Sequence, residues 1–80
     1  MIDFMTLERL NERLNKINLN LNVNKCSSYD DGKVKYDTWL QYWNKSKNKW
    51  GILHTLGYFT TMEVAISKTI EFLKLNKINY

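Results

Sequence analysis

The sequence predicts an α+β fold: a three-stranded antiparallel sheet flanked by N- and C-terminal helices, in the order α-β-β-β-α, forming one small domain over residues 1–80. Three observations predict it. Apolar residues recur at helical spacing in 6–17, and at every second position through most of 18–56. At "LGYFTTMEVAISK", residues 56–68, the spacing becomes helical again.

The first helix spans residues 6–17 (TLERLNERLNKI). Leu7, Leu10, Leu14 and Ile17 form one apolar stripe, and charged or amide side chains fill the rest. Glu8 and Glu12 precede Lys16, an order that suits the helix dipole. The stripe is narrow, so this helix is expected to dock on the sheet or cover one of its edges.

Residues 18–25 (NLNLNVNK) alternate strictly. Leu19, Leu21 and Val23 face one way, and Asn20, Asn22 and Asn24 the other. Residues 27–32 (SSYDDG) carry turn chemistry, with Gly32 able to take a positive φ. The second strand, 33–43, sets Val34, Tyr36, Thr38, Leu40 and Tyr42 on one face. Lys33, Lys35, Asp37, Trp39, Gln41 and Trp43 lie on the other. Residues 44–49 (NKSKNK) form a polar hairpin loop. A third strand is expected from Trp50 to Leu56, with Trp50, Ile52, His54 and Leu56 on one side.

The change of period at 56–68 has a local cause. Gly57 turns the chain out of the strand. Thr60 and Glu63 have the spacing of a capping box, with Phe59 and Val64 as the hydrophobic staple. The helix then runs from Thr61 to about Leu75. Its stripe is Met62, Ala65, Ile66, Ile70 and Leu73, with Lys68 and Glu71 facing water. Residues 76–80 (NKINY) are expected to fray unless Ile78 and Tyr80 fold back. A sheet of this size needs a helix against one face.

A chain of 80 residues needs a dense core, and 44% hydrophobic and 14% aromatic residues supply it. Residues 1–5 lack the basic start and apolar run of a signal peptide, and no apolar segment is long enough to span a bilayer. One cysteine, Cys26, rules out an intrachain disulfide framework and a multi-cysteine metal site. A cytoplasmic setting is expected. The formal charge is +4, and residues 33–50 account for a like amount, with five lysines against Asp37. This concentration points to a local anionic partner, although lysine also fills solvated surface in a chain so rich in Asn, Lys and Ile.

Nothing points to catalysis. His54 lies among apolar strand neighbours, Asp30 and Asp31 sit in turn chemistry, and no phosphate-binding loop or metal-ligand spacing is present. The expectation is a non-enzymatic chain with no cofactor and no metal. Cys26 is expected as a small buried hydrophobe.

The candidate site is the lysine- and tryptophan-bearing face: Lys33, Lys35, Trp39, Gln41, Trp43, Lys45, Lys47 and Lys49. Lysines suit phosphates; indoles and amides suit stacking or base contact. Two arrangements are open. In one, both helices cover the Val34/Tyr36/Leu40 side and the indoles look outward. In the other, each face lies under one helix and the indoles are core.

Three strands, a tryptophan-bearing central strand and the residues Leu56, Gly57, Phe59, Thr60, Glu63 and Ala65 resemble AP2-type and phage-integrase arm-type DNA-binding domains over about residues 18–75. The resemblance implies an open sheet that reads the major groove. Those domains carry arginines on the sheet; here lysines, asparagines and tryptophans stand instead. The element order is also similar to that of double-stranded-RNA-binding domains, whose basic helix-start motif is missing.

Two functions follow as expectations. The first is a nucleic-acid-binding module, with DNA favoured over RNA. If all five lysines engage a duplex, the log–log salt slope should be about −4 to −5. The second is a small phage or mobile-element inhibitor or adaptor of anti-defence type. It would dock an acidic surface on a nucleic-acid-handling protein through the same face.

Overall fold

The computed structural model describes residues 6–27 and 32–80. The predicted order holds: α1 (Leu7–Asn15), β1 (Leu19–Ser27), β2 (Val34–Asn44), β3 (Lys49–Phe59) and α2 (Met62–Leu75). The strands form one antiparallel sheet in the order β1-β2-β3. The predicted turn residues Ser28–Asp31 lie outside the described residues. Gly32 has the expected positive φ, 67°.

Both helices pack on one face of the sheet. Leu10 and Leu14, one turn apart on α1, join Leu19 and Leu21 of β1, Leu40 of β2, and Ile66 and Leu73 of α2 in one buried cluster. Burying each such side chain stabilises the fold by about 1.5–3 kcal/mol. Two threonines are buried with them, and neither wastes its hydroxyl. Thr38 donates to the Tyr36 carbonyl, and Thr69 donates to the Ala65 carbonyl at 2.8 Å. The molecule measures 21 Å along its shortest axis, which suits one sheet and one helix layer.

Helix α1 also covers an edge. Asn11 donates its side-chain amide to the Leu21 carbonyl at 3.0 Å and accepts the Leu21 N–H at 2.7 Å. A side chain thus completes the outer hydrogen bonds of β1 at Leu21, as a neighbouring strand would.

Several expectations are corrected. β1 reaches Ser27, because Cys26 and Ser27 pair with Lys35 and Val34. β3 runs on to Phe59, and two register shifts against β2 leave Leu53 and Leu56 as bulge residues. The bulges divide a face that strict alternation keeps together. His54 pairs with Leu40 on the helix side, whereas Trp50 and Ile52 pair with Trp43 and Gln41 on the other. Gly57 does not end the strand; it sits inside it at φ 116°, opposite Thr38. Because β3 is longer, the cap of α2 moves by one residue. Thr61, not Thr60, is the N-cap and accepts the Val64 N–H at 3.2 Å. Glu63 therefore falls in the first turn, outside the capping-box position.

Val34 and Tyr42 were expected under the helices but remain 40% and 37% exposed. They lie towards opposite ends of β2, and the helices cover its centre. The tail does fold back. Lys77 takes a left-handed φ of 54°, its N–H bonds the Lys74 carbonyl, and the Ile78 N–H bonds the Leu73 carbonyl at 2.9 Å. That pair of bonds is a Schellman closure. It returns Ile78 and Tyr80 to the core.

Candidate functional site

The open face follows from the register. Leu21 and Leu40 are buried partners on the helix side, so their alternates, Asn20 and Asn22 on β1 and Trp39 and Gln41 on β2, point the other way. Neither indole of β2 is core: Trp39 and Trp43 are half-buried on the face opposite both helices. Of the two arrangements, the structure takes the one with outward-looking indoles.

Aromatic side chains run lengthwise along this face. The turn over residues 45–48 sets Trp43 opposite Trp50, and their rings meet edge to face with centroids 5.3 Å apart and planes at 69°. The turn is fixed by Asn44, whose side-chain oxygen accepts the Lys47 N–H at 3.2 Å, and by Asn48 at φ 53°. Further along, Trp39 stands opposite Thr55 on one side and Asn22 on the other, and Tyr58 stands opposite Asp37. Ile52 and Tyr58 are each 64% exposed. All three tryptophans of the chain therefore share this surface.

Two of the amides are held by each other. Asn22 donates to the side-chain oxygen of Gln41 across the β1–β2 pair. Cys26 is half-buried beside Lys35 at the far end, its thiol against the Lys35 carbonyl at 3.4 Å, and is not a core side chain.

The structure brings Lys35, Trp39, Gln41 and Trp43 together on one strand face. Lys45 and Lys47 lie exposed in the turn beyond Trp43, and Lys33 precedes β2 at the opposite end. Lys49 does not join them. It pairs with Asn44, so alternation turns it towards the helix side. Reading strands one at a time misses Trp50, Ile52 and Tyr58 as members of this surface. The signal for Trp50 is the hairpin: a four-residue turn after Asn44 pairs Trp43 with Trp50. His54 stacks on Phe72 of α2, with centroids 4.3 Å apart and planes at 10°, away from the open face.

Among the described residues, no group of three or more His, Cys, Asp or Glu side chains could hold a metal ion, and no helix is long and apolar enough to cross a membrane. No protein-family model, curated protein or solved structure matches the chain.

Proposed function

We propose that this chain is a non-enzymatic nucleic-acid-binding module that uses the open sheet face. The observation that carries the reading is the alignment of the Trp43–Trp50 pair, Trp39 and Lys35 along one uncovered surface, with Lys45 and Lys47 exposed in the turn at its end. Ammonium groups would neutralise phosphates, and indoles would meet bases or sugars.

The chain carries its own reporter. Because every tryptophan lies on this face, intrinsic fluorescence reads it directly. Titration with mixed-sequence DNA and RNA is expected to quench the emission. With Lys35, Lys45 and Lys47 as the phosphate contacts, the log–log salt slope is expected to be about −2 to −3. Titrations with neither a quench nor a salt response reject the proposal.

A second reading rests on a separate observation, the exposure of Ile52 and Tyr58 beside the indoles. An apolar centre with a basic rim also suits a protein surface of acidic rim, as expected for an anti-defence inhibitor or adaptor. Silence towards nucleic acid, together with co-elution with a nucleic-acid-handling protein that Trp50→Ala abolishes, is the outcome this reading requires.

A further inference from the structure

We infer that the open face takes single-stranded nucleic acid in preference to duplex, with the chain lying lengthwise along β2 and its bases stacked on Trp39 and on the Trp43–Trp50 pair. The inference rests on the nucleic-acid reading above and adds which form of nucleic acid is bound.

The cations lie in the wrong places for a duplex. A sheet inserted in a major groove about 12 Å wide has a phosphate row beyond each of its edges. Duplex binding therefore calls for cations along both flanks. Neither flank has them. The open-face side chains of β1 are Asn20, Asn22, Asn24 and Cys26, none of them cationic, and Lys25 alternates to the helix side. The α1 residues that share Asn11's stripe, at spacings of three and four, are Leu7, Glu8, Leu14 and Asn15, none of them basic. On the opposite flank, the only charged residue within β3 is Lys49, which faces the helices. The cations instead mark the two ends of β2. Ten residues separate Lys35 from Lys45, about 33 Å along a strand, and between them on that face of β2 lie the indoles and a single carboxylate, Asp37, next to Lys35.

The groups on the face also suit unpaired bases. Base pairs in a duplex present edges, read by arginine forks or by free Asn and Gln amides. Both arginines of the chain, Arg9 and Arg13, are on α1. On β2 and its neighbour at the centre of the face, the Gln41 oxygen and the Asn22 amide are engaged with each other, so neither offers an open two-point fork; the remaining open-face amides, Asn20 and Asn24, both lie on the edge strand β1. Indoles offer ring surface, which only unpaired bases can cover.

The test uses the 80-residue chain in anisotropy titrations with labelled single-stranded DNA and RNA of about 12 nucleotides, and with duplex DNA of the same length, at about 50 mM salt. At least one single strand is expected to bind tenfold or more tighter than the duplex. Trp39→Ala is expected to weaken that binding about 5- to 100-fold while Trp39→Phe keeps most of it. Trp50→Ala, at a position 39% exposed, gives a second loss that does not depend on Trp39→Ala folding; circular dichroism checks both variants. Duplex binding as tight as single-strand binding overturns the inference and leaves the nucleic-acid reading standing. Unchanged affinity in folded Trp39→Ala and Trp50→Ala overturns the stacking. Binding of none of the three probes ends both readings.

Discussion

Asn11 and Leu21 are joined twice, the side-chain amide donating to the backbone carbonyl and the side-chain oxygen accepting the backbone N–H. Removing the amide strands two part-buried backbone groups. Asn11→Ala is therefore expected to lower unfolding free energy by about 1–3 kcal/mol, read as a shift in the urea midpoint. An unshifted midpoint would show that water replaces the amide at no cost.

The two faces of β2 should answer differently to truncation. Leu40 is fully buried in the shared cluster, and Leu40→Ala is expected to cost about 2–5 kcal/mol. Trp39→Ala removes a larger side chain from the uncovered face, yet it should leave a cooperative urea transition and a smaller loss. A greater loss at Trp39 than at Leu40 would contradict the layer assignment.

The N-cap of α2 can be located by two single substitutions. Thr61→Ala is expected to destabilise by about 1 kcal/mol, and Thr60→Ala by a few tenths at most. The reverse ranking in thermal melts would return the cap to Thr60.

Gly51 is needed for closeness. A methyl group there would lie 2.8 Å from Cε1 of the Tyr42 ring, so Gly51→Ala forces the ring aside. The expected signature is coupling. The Tyr42→Ala/Gly51→Ala double variant should lose less than the sum of the singles, by about 0.5 kcal/mol or more. Strict additivity in a double-mutant cycle would show that the ring moves freely.

Lys77 occupies a left-handed conformation that costs a side-chain-bearing residue about 1 kcal/mol. Lys77→Gly is expected to raise stability by roughly 0.5–1 kcal/mol. A drop in melting temperature would show that the lysine side chain contributes more than its backbone costs.

These corrections and agreements share one physical origin. Period two in β1 and β2 is set by short-range alternation, so Asn22, Lys35, Trp39 and Gln41 could be assigned to one face from the residues themselves. Bulges are set by pairing. Leu53 and Leu56 look like ordinary strand residues, and only their partners on β2 show that each is an insertion. The parity of Trp50 against His54 was hidden for that reason. Thr60 and Thr61 carry the same capping chemistry, and the length of β3 decides between them. For the tail, fold-back of Ile78 and Tyr80 stood open beside fraying, because its left-handed position holds Lys77 where glycine would have marked the closure.

The connectivity has a kinetic consequence. Each strand pairs with the next in sequence, α1 packs on β1, and α2 folds back over β3 and β2. The major contacts thus close short loops, and the chain holds no proline to isomerise slowly. Refolding from urea should occur in one phase, within milliseconds to tens of milliseconds, with the β1–β2 hairpin forming early enough to give Asn11 an edge to clasp.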